Sequence, residues 1–324
     1  MGMGDMKQRV IIVVALVCGA QSPGCGDDGS PGETQVTADK DAMSASISDT
    51  GVFGSVTVSL SAGNGVPSLA AGKETGTVVD GWSVEYTRLL VTIGDFEATV
   101  VGADGTDYPL GDGRVQVVDL MAASGEGEVL HGFDAVGAGA AEYVGFALVN
   151  ADDATGSGLV SDGDYALMVK NRYALFIEGS MRNPAGRTCT PGVPGECEPA
   201  PEIRFAWGLP VATAYARCGD GFQVAHGEST AVTLTLPGDR WFRTDFGAGR
   251  TEYRAQWIAD ADLDRDGETT LAELEQVAAR DVLPAGSYRL DGAIVPIETA
   301  RHFLEAQARA IGSAGAGNCR MRPL

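Results

Sequence analysis

Between residues 51 and 250 apolar side chains recur at every second position in short runs. Residues 56–60 (VTVSL) and 231–236 (AVTLTL) alternate cleanly, the period that sends successive side chains to opposite faces of a strand. Similar β-branched or aromatic runs lie at 115–120, 143–149, 165–169, 173–178, 203–207 and 212–217. The longer run 83–101 reads as two strands with a break at Gly94-Asp95. Gly, Asp and Asn punctuate these segments, and almost no helical period separates them. Parallel strands would need crossover connections, usually helical. The expected fold is therefore mainly β, an antiparallel β-sandwich spanning 51–250.

From about residue 251 the period changes. Residues 252–261 (EYRAQWIADA) predict a helix with Tyr253, Trp257 and Ile258 on one face. Leu271, Leu274 and Ala278 predict a second helix that ends near Ala279. After a break at Pro284-Ala285-Gly286, residues 297–311 predict an amphipathic helix carrying Ala300, Phe303, Leu304, Ala308 and Ile311. A C-terminal α-helical segment of EF-hand type is expected over 251–324.

Between the first two helices lies the run 262–273, DLDRDGETTLAE. Asp262, Asp264 and Asp266 alternate, Gly267 follows, and Glu273 closes the run, which is the spacing of an EF-hand calcium loop. Three carboxylates at alternate positions converge only if the chain turns sharply behind them, and Gly267 has no Cβ to oppose that turn. The Glu268 carbonyl, Thr270 and bidentate Glu273 would complete an oxygen set for Ca²⁺. Position 8 of such loops, usually an aliphatic residue paired with a second loop, is Thr269, and no second complete loop exists in the chain. A solitary, structural site is expected, with a dissociation constant on the order of 10⁻⁴ to 10⁻³ M.

Composition narrows the partners. Lys and Arg number 23 against 44 Asp and Glu, a net charge of −21, which repels phosphate backbones and argues against nucleic acid. Lys7 and Arg9 precede an apolar run, 10–17, that is shorter than the ~20 residues of a membrane span and has the layout of a secretory signal. Processing could follow Ala20, or lipidation could occur at Cys18 or Cys25. Cys25 follows Gly24 and precedes an acidic tract, GDDGSPGETQ. Lipidation there, with Cys18 removed, leaves an even set of cysteines. The expected organisation is a signal peptide at 1–24, a flexible tether at 25–50, the sandwich and then the helical segment.

The remaining cysteines, Cys189, Cys197, Cys218 and Cys319, allow three pairings in an oxidising compartment. Cys189 and Cys197 bracket the Pro/Gly-rich tip TPGVPGE, and clipping it as a hairpin contributes ~2.6 kcal/mol in the chain-entropy account. Cys218 with Cys319 would close a far longer loop, contributing ~4.7 kcal/mol. The spacing holds no CxxC pair with nearby His for zinc.

Catalytic signatures are sparse. GxSxG, HExxH and the P-loop pattern are absent. His131, His226 and His302 are widely separated. Asp152-Asp153, Asp162 with Asp164, and Asp104 with Asp107 could pair as glycosidase carboxylates, but each sits among turn-forming residues that favour Asp for its local hydrogen bonds. Trp82, Trp207, Trp241 and Trp257 could form a sugar-binding platform, although core packing is the commoner use.

The order of GWSVEYTRLLVTIGDFEA (81–98), VVDL (117–120), the acidic loop with LAEL, and a helix followed by GNC (317–319) resembles myxobacterial-type surface lipoproteins. More distantly, the order of β segments is similar to methanobactin-associated surface proteins that handle copper. That second resemblance implies metal or cofactor handling beside an outer-membrane transporter. The leading expectation is a non-catalytic, Ca²⁺-binding lipoprotein of the cell envelope, held at the outer membrane or cell surface by a lipid anchor and able to contact another envelope protein. A periplasmic or secreted chain is the alternative location. The rival functions are accessory metal or cofactor handling, and carbohydrate binding or hydrolysis.

Overall fold

The computed structural model describes residues 53–63, 68–70, 77–122, 127–247, 252–315 and 317–324. The expected signal peptide, tether and lipidation site at Cys25 lie outside the described residues. Most of the alternating runs form strands. β1 (Phe53–Ser61) buries Val56, Val58 and Leu60 on one face. β2 (Ser68–Leu69) leads to β3 (Ser83–Gly102), then β4 (Asp107–Leu110), β5 (Val115–Asp119), β6 (Glu128–Gly137), β7 (Gly139–Leu148) and β8 (Gly156–Ser157). α1 (Asp162–Asn171) is followed by β9 (Leu175–Arg182), β10 (Arg187–Cys189), β11 (Cys197–Pro199), β12 (Glu202–Leu209), β13 (Thr213–Cys218), β14 (Phe222–Val224) and β15 (Ser229–Thr235). The last stretch mixes α2 (Gln256–Ala259), β16 (Glu268–Thr269), α3 (Leu271–Gln276), α4 (Ala279–Val282) and α5 (Ala300–Arg309) with β17 (Ser313–Ala314), β18 (Gly317–Asn318) and β19 (Arg320–Pro323).

One five-stranded sheet runs β18-β17-β15-β1-β6. A twelve-stranded sheet runs β16-β12-β9-β3-β7-β13-β19, with β2, β4 and β5 also on β3, β14 on β7 and β8 on β5. Side chains from both sheets and from the C-terminal helices share one apolar core. All four tryptophans are fully buried in it. Each such burial removes ~200 Å² from water, which contributes ~5 kcal/mol. Trp82, Trp207, Trp241 and Trp257 are core residues, the commoner use of tryptophan, and form no exposed sugar-binding platform.

The expected antiparallel sandwich is also corrected: the sheets are open and mixed. β1 pairs in parallel with β15, β12 with β16, and β5 with β8. A parallel neighbour needs a long return path, but that path need not be a helix. Between β1 and β15 the chain builds much of the larger sheet before returning, so no helical period marks the crossover.

Two local readings change as well. β3 is one strand; at Gly94-Asp95 it carries a bulge. Pairing with β7 slips from Gly94↔Ala147 to Glu97↔Gly145, and Asp95 takes φ 52°. The extra residue bends the strand without ending it. Residues 165–169, read as a strand, lie inside α1. Ser161 caps this helix by accepting from the Asp164 N–H at 3.2 Å, a cap signature with an acid three residues on. Met168 packs with Leu90, Val117, Ala151 and Phe176 on the face of the large sheet away from the main core. With Leu89, Val91 and Ile93 in the main core and Leu90 under α1, the middle of β3 is buried on both faces.

Both expected disulfides are present. Cys189–Cys197 closes the β10–β11 hairpin, and Cys218–Cys319 joins the end of β13 to the C-terminal strands.

Candidate metal centre

The acidic run 262–273 connects α2 to α3. Neither flanking element is the full helix that the apolar period predicts. Upstream, the backbone of Tyr253 bridges Val78 and Arg243, and Arg254 N–H donates to Phe242 O at 2.8 Å. Those strand-like bonds consume the groups a helix over 252–255 would need. α2 therefore starts late, with Asp80 Oδ2 accepting from the N–H groups of Ala255 and Gln256, both at 2.8 Å. Downstream, Ala278 bridges Thr299, and Ala300 N–H donates to Val277 O at 2.9 Å, which stops α3 at Gln276. The pair of long EF-hand helices is thus reduced to four and six residues, a correction to the expected C-terminal segment.

The loop is held from three sides. Glu268 and Thr269 form β16 on β12, in register with Arg204 and Phe205. Thr269 is buried, donates through Oγ1 to Ile258 O at 2.8 Å, and offers its own carbonyl to Trp207 Nε1–H at 2.8 Å. The large sheet thus occupies the place a second loop would take. On another side the disulfide hairpin docks: Cys189 N–H donates to Asp260 Oδ1 at 2.9 Å, Arg265 pairs with Glu198, and Arg265 Nη2 donates to Thr190 Oγ1 at 3.1 Å. On the third, the α3 cap is reciprocal, with Glu273 N–H donating to Thr270 Oγ1 and Thr270 N–H to Glu273 Oε2.

Within this frame Asp262, Asp264 and Glu273 each place one carboxylate oxygen within 4.8 Å of the others. Gly267 takes φ 81°, a left-handed backbone that glycine adopts without strain, and its N–H donates to Asp262 Oδ2 at 3.1 Å. Glu273 Oε1 accepts from Leu263 N–H at 2.9 Å. Asp262 is 3% exposed and its Oδ1 finds no hydrogen-bond partner among the described residues. Burial, opposed by the Gly267 N–H and reinforced by the charges of Glu273 and Asp266, raises its carboxyl above the usual range. A buried carboxylate oxygen without a donor is costly unless a cation meets it.

The other expected ligands are placed less directly. Asp266 stands outside the three-carboxylate group and accepts from Glu268 N–H at 2.8 Å. The Glu268 side chain faces Arg204 at 3.8 Å, and Thr270 Oγ1 bonds Glu273 Oε2 at 2.8 Å. The convergent donors are hard oxygens, which suit Ca²⁺ or Mg²⁺ better than copper.

Elsewhere the chemistry is local. His131 is buried beside Phe96 and Phe133, with Nδ1 3.0 Å from Asp112 Oδ2. His226 lies in the turn between β14 and β15, and His302 in the first turn of α5. Asp104 Oδ1 accepts from Thr106 N–H and Asp152 Oδ1 from Ala154 N–H, both at 2.9 Å, as turn residues do. Asp164 belongs to the α1 cap and pairs with Arg88 at 3.0 Å. Among the described residues, the only group of three or more His, Cys, Asp or Glu able to share an ion is Asp262, Asp264 and Glu273.

No family model matches the chain, and no curated protein matches it. The resemblance to surface lipoproteins therefore rests on the quoted residue runs. Among solved structures, MbnP from Methylosinus trichosporium is similar at 16% identity, covering 57% of this chain and 75% of that chain, with a TM-score of 0.25. That superposition is too loose to transfer a fold or a function.

Proposed function

We propose that the chain is an exported, lipid-anchored β protein of the cell envelope whose acidic loop binds one Ca²⁺ as a structural ion, without catalysis. The observation that carries this reading is the unpartnered, buried Oδ1 of Asp262, set within 4.8 Å of oxygens from Asp264 and Glu273. The ion would relieve the repulsion among these carboxylates and supply the missing partner. Water, the Glu268 carbonyl, Thr270 and a re-aimed Asp266 are the remaining oxygens that a six- to eight-coordinate ion would draw on.

The mechanism is a clamp, not a hinge between two long helices. A loop fixed to β12, to the disulfide hairpin and to α3 transmits the ion's binding energy to three elements at once. Melting of the full-length chain in chelator and in calcium tests the idea. Calcium is expected to raise the midpoint, and Asp262→Ala with Glu273→Ala to remove that increment. An unchanged melting curve in chelator would sink it.

A further inference from the structure

A second, unrelated pocket lies between the turn Arg240–Phe242 and the chain after α5. It encloses about 330 Å³, and Arg240, Arg243, Phe246, Ile311, Cys319 and Met321 line it. In a chain of net charge −21, two arginines on one small pocket stand out electrostatically.

The two arginines differ in how they are paired. Arg243 has an acidic neighbour, Asp239 at 3.5 Å, and lies over the Tyr253 ring. The nearby Asp245 is held by Arg289 at 2.6 Å. Arg240 is 7% exposed and makes no ion pair with a described residue. It donates one long hydrogen bond, from Nη2 to Phe246 O at 3.4 Å. The Nε atoms of both Arg240 and Arg243 are buried without an acceptor among the described residues. Taking out a guanidinium from water and leaving its donors unmet is expensive. A guanidinium with open donors is suited to charge-assisted, bidentate recognition of a carboxylate.

We propose that this pocket binds a small organic monocarboxylate, its carboxylate on Arg240 and Arg243 and its apolar body against Phe246, Ile311 and Met321. The single charge follows from the local balance. Arg240, Arg243 and Arg289 face Asp239 and Asp245, which leaves one positive charge over among the described residues. A dianion such as phosphate would carry one charge too many into a pocket with an apolar wall. Burial, then the neighbouring Arg243 charge, pushes Arg240 down to about 10 against the opposing pull of Asp239 and Asp245, so the guanidinium stays charged at neutral pH. The site is separate from the acidic loop and does not rest on calcium.

Calorimetric titration of the full-length chain with sodium hexanoate at fixed ionic strength tests the assignment, with hexanol, acetate and inorganic phosphate as comparisons. Saturable binding of hexanoate with a dissociation constant on the order of 1 mM is expected, with acetate weaker and hexanol silent. Arg240→Met should weaken hexanoate by about tenfold or more. If Arg240→Met fails to fold, Met321→Glu answers the same question, because it sets a carboxylate in the pocket and should block hexanoate while Arg240 stays in place. The proposal is overturned by absence of saturation in the wild-type chain, by equal binding of hexanol, by tighter binding of phosphate, or by a folded variant that binds hexanoate unchanged. Repeating the titration in chelator separates this outcome from any failure of the calcium site.

Discussion

Replacing Asp262 by Asn should stabilise the ion-free protein and abolish its response to calcium. Asp262 is 3% exposed, and oxygens of Asp264 and Glu273 lie within 4.8 Å of its own. At that separation and an effective dielectric near 20, one carboxylate pair repels by ~3.5 kcal/mol. The exposed Asp264 is screened by solvent, so the buried Asp262–Glu273 pair dominates. An Asn at 262 keeps a carbonyl oxygen for the Gly267 N–H and turns an amide donor toward Glu273. The gain without ion should be ~1–3 kcal/mol, less than the full repulsion because the native loop already accommodates part of it. At ~2–4 °C per kcal/mol for a chain of this size, the midpoint should rise by several degrees. Calcium acts in the opposite sense. With a dissociation constant of ~10⁻⁴ to 10⁻³ M, about 5 mM Ca²⁺ stabilises the wild-type chain by ~1–2 kcal/mol. The variant, lacking one ligand charge, should gain little. Calorimetric melts of both chains in chelator and in calcium should therefore converge or cross. A variant that melts below wild type in chelator would show that the buried carboxylate is not repelled. Equal calcium shifts in the two chains would place the ion elsewhere.

Three further outcomes are expected. Trp207→Phe removes the 2.8 Å bond to the Thr269 carbonyl while keeping an aromatic ring on Phe205, and should cost ~1–3 kcal/mol in denaturant unfolding and weaken calcium binding together; a loss of stability with unchanged calcium affinity would uncouple β12 from the loop. Opening Cys218–Cys319 by paired serines should destabilise about twice as much as opening Cys189–Cys197, ~4.7 against ~2.6 kcal/mol, because the sequence separations are 101 and 8; midpoints from urea titration give the comparison. Asp112 is held down to about 2 from 3.8, since bonds from the Arg114 N–H, His131 and the Arg114 side chain outweigh burial. Its contribution is full above 3.8 and is lost as pH falls toward about 2, so Asp112→Asn should flatten that acid limb, and an unaltered limb would assign it to other carboxylates.

The chain's alternating runs settled the existence of most long strands, because facing a core on one side imposes a period of two on whatever sequence forms the strand. The acidic loop was legible for a similar reason. Alternate Asp residues, Gly267 and Glu273 constrain a local backbone whose φ at Gly267 is indeed left-handed. The hairpin disulfide followed from the turn between its cysteines. α1 is legible in principle from its Ser161–Asp164 cap, yet its apolar residues mimic a strand over five positions.

Only the tertiary structure decided which strands meet, and in which direction. Pairing of β1 with β15, or of β16 with β12, joins segments far apart in the chain, and nothing in either segment's own pattern names its partner. The same competition cut the predicted helices short: backbone groups at Tyr253 and Ala278 found distant strand-like partners, and a group bonded there cannot also serve a helix. Arg240 is the clearest case. In sequence it is one arginine before a tryptophan; its burial, its Nε–H without an acceptor among the described residues and the pocket around it exist only after α5 and the C-terminal strands close over it.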